Sequence, residues 1–164
     1  MTQTITMTVN GQPVTVEVEP RWLLADVLRD QLGLTGTHLD CDHGVCGACT
    51  ILLDNRPVRA CLLLAVQACN HHITTVEGLG DPEHLHPLQH ERAFQQEHAL
   101  QCGFCTPGML MTAYHFLATH SNPARREIRE ALAGNLCRCT GYQFIVNTVE
   151  RAASEMGQPV VADS

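Results

Sequence analysis

The sequence predicts an α+β fold in which a small β-sheet unit is followed by a helical unit. In the first half of the chain, short segments alternate apolar and polar residues, which is the pattern of half-buried strands. In the second half, apolar residues recur at helical spacing and strand-like segments are lacking. The stretch Gly78-Leu79-Gly80-Asp81-Pro82 interrupts both patterns. We therefore expect two domains, residues 1–79 and 80–164.

The first strands form a predicted β-hairpin. Residues 5–9 and 14–18 alternate, and Asn10-Gly11 between them is a typical hairpin turn. Apolar residues at helical spacing predict a helix over 23–32, with Gly33 as its stop. Two further strand regions are predicted: a hairpin over 50–61 around Asp54-Asn55, and a last strand over 73–76.

The second half contains four helix candidates, several with Pro in the first turn. They are residues 87–100, 107–119, 123–133 and 144–153, and Gly134 is a plausible stop after the third. Four short helices in succession predict a small four-helix bundle. We expect Thr106 and Thr140 to cap two of these helices.

Composition and charge exclude several classes of protein. The 164 residues are 45 % apolar and 16 % charged, which is typical of a globular protein rather than a disordered one. The net charge of −7, with no basic block, argues against binding to nucleic acid. No apolar run approaches about eighteen residues, and the N-terminal residues lack the features of a signal peptide. We therefore expect a cytoplasmic protein without a membrane span.

Nine cysteines direct attention to metal binding. Reducing conditions in the cytosol disfavour a disulfide framework, so metal coordination is the leading interpretation. The cysteines fall into two sets of four, with Cys69 left over and best explained as a small buried apolar residue. The sets are Cys41, Cys46, Cys49 and Cys61 in the first half, and Cys102, Cys105, Cys137 and Cys139 in the second.

The first set has the C-x4-C-x2-C spacing and distant fourth cysteine of plant-type 2Fe-2S ferredoxins. Gly44 and Gly47 in this loop allow the backbone to approach a cluster closely. A structural zinc site is the alternative, but zinc sites favour two separated C-x2-C pairs. The loop residue His43 can act on the cluster through its backbone as well as through its ring.

The second set, C-x2-C followed by C-x-C, is less specific, because a zinc ribbon also uses two such pairs. The helical context favours a second 2Fe-2S cluster, since helix N-termini stabilise an anionic group. A zinc-stabilised adaptor and a free-standing ferredoxin remain as alternatives. The first would be colourless, whereas the second would need no helical domain.

Three motifs in order give the sequence a resemblance to the small iron–sulfur subunits of the xanthine oxidase family of molybdenum hydroxylases. The motifs are Cys41-Asp42-His43-Gly44-Val45-Cys46-Gly47-Ala48-Cys49-Thr50, Gln101-Cys102-Gly103-Phe104-Cys105-Thr106-Pro107-Gly108 and Gly134-Asn135-Leu136-Cys137-Arg138-Cys139-Thr140-Gly141-Tyr142. The resemblance implies a ferredoxin-like β-grasp domain followed by a four-helix domain. It also implies that Gln101 hydrogen-bonds a molybdopterin and that Cys139 lies beside it. Asp40 and Phe144 differ from the residues usual in the family.

The resemblance further implies an electron-transfer role and no catalytic residue on this chain. Electrons would pass from molybdopterin, in a cytosine dinucleotide form, through the second and then the first 2Fe-2S cluster to FAD. The implied partners are a large molybdopterin subunit and a medium FAD subunit, in a heterotrimer or a dimer of heterotrimers. The substrate would be an N-heterocycle or an aldehyde. A small subunit of carbon monoxide dehydrogenase or of an aromatic thioester reductase remains an alternative.

Overall fold

The computed structural model describes residues 1–80, 94 and 97–157, and it has an α+β fold. The first part, residues 1–80 (the sheet unit), contains a five-stranded sheet in the order β2-β1-β5-β3-β4. The strands are β1 Gln3–Val9, β2 Gln12–Val18, β3 Thr50–Leu53, β4 Arg56–Arg59 and β5 His72–Thr74. The β1–β5 pair is parallel and the other pairs are antiparallel.

Both predicted hairpins are confirmed. β1 and β2 pair with Ile5 opposite Val16. Asn10 and Gly11 at their turn have φ values of 50° and 78°. Asp54 and Asn55, between β3 and β4, also have positive φ. Two consecutive positive-φ residues are what two-residue hairpin turns require, which explains the Asn-Gly and Asp-Asn sequences.

The predicted helix over 23–32 is present with a wider final turn. It begins as α1 Leu24–Asp26 and continues as a π-helical turn, Val27–Gln31. The N–H of Leu32 donates to the carbonyl of Val27 at 3.1 Å, five residues earlier. The helix buries Leu24, Ala25, Val27 and Leu28 against the sheet.

Two predicted strand ends were wrong. β4 ends at Arg59, and Ala60–Leu62 form a 3-10 turn instead of the predicted continuation to residue 61. The predicted strand over 73–76 is β5 His72–Thr74, followed by a 3-10 turn at Val76–Gly78. The Ala60 N–H bonds the Cys49 carbonyl at 3.1 Å, and the turn then buries Cys61 beside that loop. Tertiary contacts thus outweigh strand propensity here.

The second part, residues 97–157 (the helical unit), contains α2 Thr106–Thr119, α3 Arg125–Leu132 and α4 Gln143–Glu155. These confirm three of the four predicted helices. The remaining prediction, residues 87–100, lies largely outside the described residues. The described end of this segment is not α-helical. His98 has a φ of 53°, and the Ala99 N–H donates to the Phe94 carbonyl, five residues earlier. Within the described part of the chain, every helix is too short or too polar to cross a membrane.

Strand β3 connects the two apolar cores of the protein. Ile51 is buried in the core of the sheet unit, together with α1 and the inner faces of β1 and β5. Leu52, whose side chain points to the opposite face, is 2 % exposed and lies in the core of α2, α3 and α4. A strand buried on both faces explains the continuous run Ile51-Leu52-Leu53.

Replacing Leu52 with Ala tests the role of β3 between the cores. A large-to-small substitution at a fully buried site costs about 2–5 kcal/mol, which for a chain of this size lowers Tm by roughly 5–15 °C. Thermal unfolding followed by circular dichroism measures this. Leu64→Ala is the control. Because Leu64 is 37 % exposed, its replacement should lower Tm much less. Equal decreases in Tm for the two variants would contradict the interpretation that β3 is buried on both faces.

Candidate metal centres

The fold brings the four cysteines of the first set together. Cys41, Cys46 and Cys49 lie on the loop between α1 and β3, and Cys61 lies on the 3-10 turn after β4. Three of them are buried, and only Cys41 is partly exposed. The thiol of Cys46 lowers the pKa of Cys41, and the thiol of Cys49 raises that of Cys61, so the strongest interactions between the sulfurs fall in two pairs.

Gly44 gives this loop its tight path. It has a φ of 82°, and a Cβ at this position would collide with the Leu62 side chain. Leu62, the residue after the ligand candidate Cys61, therefore packs directly over the backbone of the loop. A side chain at position 44 would be excluded both by the left-handed backbone and by this contact.

The first centre favours negative charge at one sulfur and disfavours it at another. The backbone N–H of Cys46 donates to Cys41 Sγ at 3.4 Å. This bond, followed by one from the His43 backbone, lowers the pKa of Cys41 to about 6. Burial, followed by the thiol of Cys49, raises the pKa of Cys61 to about 11. The backbone of His43 thus contributes to lowering the pKa of Cys41, while its ring Nδ1 hydrogen-bonds the Cys41 carbonyl.

The second set of cysteines is brought together at the starts of two helices. Cys102 and Cys105 precede α2, and Cys137 and Cys139 precede α4. Here too the strongest interactions between the sulfurs fall in two pairs: Cys139 Sγ lies 3.6 Å from Cys102 Sγ, and the thiol of Cys137 acts on that of Cys105. Cys102 and Cys139 are exposed, so this centre opens to the surface.

The same asymmetry of charge occurs at the second centre. Burial opposes ionisation of Cys137, but hydrogen bonds from Thr140, led by its hydroxyl at 3.1 Å, lower the pKa of this thiol. Burial, followed by the thiol of Cys137, raises the pKa of Cys105 to about 12. The thiol of Cys102 raises the pKa of Cys139.

The predicted helix caps were wrong. Thr106 is the first residue of α2, and its N-cap is Cys105, which makes no side-chain capping bond. The N-cap of α4 is Tyr142. Thr140 instead accepts the Tyr142 N–H at 3.2 Å and bonds the Cys137 sulfur. The Tyr142 hydroxyl in turn accepts a hydrogen bond from the Cys137 N–H at 2.8 Å. The side chains of this segment therefore hold Cys137 in place instead of capping a helix.

The donor sets fit two-iron clusters better than single ions. Two thiolates on one tetrahedral metal at about 2.3 Å lie roughly 3.8 Å apart, close to the 3.6 Å between Cys102 and Cys139. Among the described residues, no three Cys, His, Asp or Glu side chains converge as ligands of one ion. A 2Fe-2S cluster is held by four cysteines, two on each iron, which matches two thiol pairs per centre.

The other residues named in the sequence analysis or contained in its motifs also have defined places. Gln101 is exposed, and its Nε2 donates to the Cys139 carbonyl at 3.0 Å, so these two residues lie together at the open centre. Arg138 is exposed, as are Asp40 and Phe144. Cys69 is partly buried and packs against the core of the sheet unit.

The two centres face a common cleft. It has a volume of about 680 Å³ and is lined by Cys46 and Ala48 of the first loop and by Cys102, Cys137 and Arg138 of the second centre. Sequence analysis missed the polar residues that join the two sides, above all Asn135 and Arg59. Each lies two residues before a cysteine, and Asn135 also stands in the third motif, but neither signal names a bonding partner.

Comparisons with known proteins agree with this pair of centres. Residues 7–72 match the 2Fe-2S iron-sulfur cluster binding domain, and residues 75–150 match the 2Fe-2S binding domain. The chain is 55 % identical over 149 residues to caffeine dehydrogenase subunit gamma of Pseudomonas sp. strain CBB1, covering 89 % of this chain and 88 % of that protein. It is 54 % identical to the nicotine 6-hydroxylase small subunit of Paenarthrobacter nicotinovorans, covering 93 % and 91 %.

A solved structure shows the same fold. A chain of quinoline 2-oxidoreductase from Pseudomonas putida 86 matches with a TM-score of 0.89 and 52 % identity, over 96 % of this chain and 98 % of that one. The fold and the paired thiols define a 2Fe-2S electron-transfer protein. The chain belongs to the small iron–sulfur subunits of the xanthine oxidase family of molybdenum hydroxylases.

Substitution of Gly44 tests the packing of the first centre. Gly44→Ala should lower the iron content per chain. The added Cβ would collide with the Leu62 side chain, and the positive φ of this position is unfavourable for Ala. Gly33→Ala is the matched control, since Gly33 has a φ of 70° with nothing within 4 Å of a Cβ. It should cost about 1–2 kcal/mol in stability and leave the iron content unchanged. Equal iron loss in both variants would contradict the role of the Leu62 contact.

Proposed function

We propose that Cys102, Cys105, Cys137 and Cys139 hold one 2Fe-2S cluster and that Cys41, Cys46, Cys49 and Cys61 hold the other. The observation that carries the proposal is that the fold brings each set of four cysteines together, with Cys139 Sγ 3.6 Å from Cys102 Sγ in the second set. A bound 2Fe-2S cluster supplies a site that accepts and releases one electron. The thiols ligate the irons, and the neighbouring N–H and hydroxyl groups stabilise the negative charge on sulfur.

The exposed centre is the proposed entry point for electrons. Cys102 and Cys139 are open to solvent, and the exposed Gln101 lies beside Cys139, to whose carbonyl its Nε2 donates. In this proposal Gln101 hydrogen-bonds the molybdopterin of a large partner subunit, and Cys139 lies next to it. Electrons then pass to the buried first centre and on to FAD in a medium subunit.

Exposed apolar side chains support docking around both centres. Four surround the second centre and are 41–52 % exposed: Leu100, Phe104, Leu136 and Phe144. At the first centre, Val45 and Leu62 are each 58 % exposed. Large apolar groups gathered at a redox centre favour burial by a partner. We assign the first group to the molybdopterin subunit and the second to the FAD subunit, in a heterotrimer or a dimer of heterotrimers.

The wider proposal concerns the whole enzyme. The names of the relatives refer to caffeine, nicotine and quinoline, which supports an N-heterocycle as substrate, with an aldehyde as the second possibility. The substrate would bind to another subunit. We further propose a cytosine dinucleotide form of the molybdopterin and a cytoplasmic location.

We also propose the domain division 1–79 and 80–164, with the helical domain as a four-helix bundle. The buried side chains of Phe94 and Ala99 lie in the same core as α2, α3 and α4, which supports a single core for the helical domain. A β-grasp domain is supported by the mixed five-stranded sheet covered by α1.

Iron and sulfide analysis with electron paramagnetic resonance tests the cluster assignment. The dithionite-reduced complex should contain four irons and four sulfides per chain and show two distinct signals. Cys49→Ala should remove one signal and Cys105→Ala the other, because each deletes one ligand. Cys69→Ala, the matched control, should keep both signals. A colourless protein containing zinc would refute the proposal.

Replacement of Gln101 tests the proposed contact with molybdopterin. Gln101→Leu should slow reduction of the clusters by substrate by about tenfold or more, since a hydrogen bond worth about 1.5 kcal/mol is lost. Both cluster signals should persist under dithionite. Gln12→Leu, an exposed glutamine on β2, is the control and should have no effect. An unchanged rate in Gln101→Leu would contradict the contact.

A further inference from the structure

A buried asparagine joins the two units of the protein. Asn135 is 1 % exposed. Its Oδ1 accepts the Thr112 hydroxyl at 2.9 Å, and its Nδ2 donates to the Gly47 carbonyl at 2.9 Å and to Thr50 Oγ1 at 3.3 Å. Both polar atoms of this side chain are therefore hydrogen-bonded. Its two bonds to the sheet unit join residues that are 85 and 88 positions apart in the sequence.

Arg59 completes the connection from the other side. Its Nη1 donates to Thr50 Oγ1 at 2.5 Å, and its Nη2 donates to the Gly134 carbonyl at 2.6 Å. Thr50 itself donates to the Gly47 carbonyl at 2.6 Å. We call these residues the Asn135 network: Gly47, Thr50, Arg59, Thr112, Gly134 and Asn135.

The network lies between the two candidate metal centres. Its members are neighbours of the cysteines in sequence: Thr50 follows Cys49, Arg59 precedes Cys61 by two, and Asn135 precedes Cys137 by two. Next to it, the Leu136 N–H donates to the Cys46 carbonyl at 2.8 Å. The backbones also touch, because a Cβ on Gly108 of α2 would collide with the Gly47 carbonyl.

We propose that the Asn135 network sets the distance and orientation between the two clusters, and that Asn135 and Arg59 are positioning residues for electron transfer between them. This inference rests on the proposed cluster ligands. The step itself is the transfer of one electron: the second centre is oxidised by one electron, the first is reduced by one, and no bond is made or broken. Because electron tunnelling weakens steeply with distance, a small increase in separation slows the transfer.

Physical chemistry favours a positioning role over a purely stabilising one. A buried polar network contributes little net stability compared with apolar packing, but it is satisfied in only one arrangement. Apolar contacts, such as those of Leu52, hold the units together but tolerate small shifts. The Asn135 network fixes the loops that carry Cys46, Cys49 and Cys137 relative to one another.

The experiment uses the assembled enzyme complex with two pairs of variants. Thr50→Val removes the hydroxyl that accepts from Asn135 and Arg59, whereas Thr50→Ser retains it. Arg59→Lys keeps the charge but cannot bridge Thr50 and Gly134 as a guanidinium does. Arg56→Lys, on the exposed part of the same strand β4, is its matched control. Asn135→Leu is the most disruptive variant, and the milder ones decide the outcome should it fail to assemble.

Three measurements separate positioning from simple stability. In the fully reduced complex, Thr50→Val and Arg59→Lys should weaken the magnetic splitting between the two clusters, while each cluster keeps its own signal. Hydrogen exchange at the Leu136 amide should accelerate by about tenfold or more, since an unpaired buried group costs at least about 1.4 kcal/mol. Electron transfer between the clusters should slow. Thr50→Ser and Arg56→Lys should match the unmodified complex in all three.

The outcomes distinguish this inference from the function on which it depends. Variants with four irons per chain, unchanged splitting and unchanged Leu136 exchange would overturn the positioning role and leave the cluster assignment intact. Lack of cluster signals in the unmodified complex would overturn the cluster assignment, and the electron-transfer role of the network with it. Weakened splitting in Thr50→Val that Thr50→Ser restores would establish the network as the element that spaces the clusters.

Discussion

Burial of closely spaced thiols, which penalises their ionisation, is the constraint on which the rest of this structure depends. Both centres show the same asymmetry between their thiols. The pKa is lowered at Cys41 and raised at Cys61 in the first centre, and lowered at Cys137 and raised at Cys105 in the second. Burial therefore opposes ionisation of Cys61 in the first centre and of Cys105 in the second. Iron supplies the positive charge that makes four ionised ligands compatible, so metal binding and the order of these loops are coupled.

The two centres use different local structure for the same end. In the first, a loop between α1 and β3 turns N–H groups towards Cys41, and this is possible because Gly44 takes a left-handed conformation under Leu62. In the second, the segment before α4 supplies a hydroxyl and an N–H from Thr140. Both place the donors on short stretches held at each end by a strand or helix, which limits how far the ligands can separate.

The sequence was informative where a local rule decides the structure. Alternation and the Asn-Gly and Asp-Asn turns placed the hairpins, and cysteine spacing divided the cysteines into two sets of four. It failed where distant residues decide. The 3-10 turn at Ala60–Leu62 forms because Cys61 must reach the loop of Cys49, and Thr140 bonds a thiol instead of capping a helix. Asn135 bonds Gly47 from 88 residues away, and one sequence carries no record of that pairing.

The contrast between an open and a closed centre gives the chain a direction. Cys102 and Cys139 are exposed beside Gln101, whereas three of the four cysteines of the first set are buried. A redox group docked at the open face can approach the second centre closely, whereas most thiols of the first centre are covered by protein. The two-sided strand β3 and the Asn135 network join the two units. Because the same residues both join the units and separate the centres, a change in how the units pack is also a change in the path that an electron must cross.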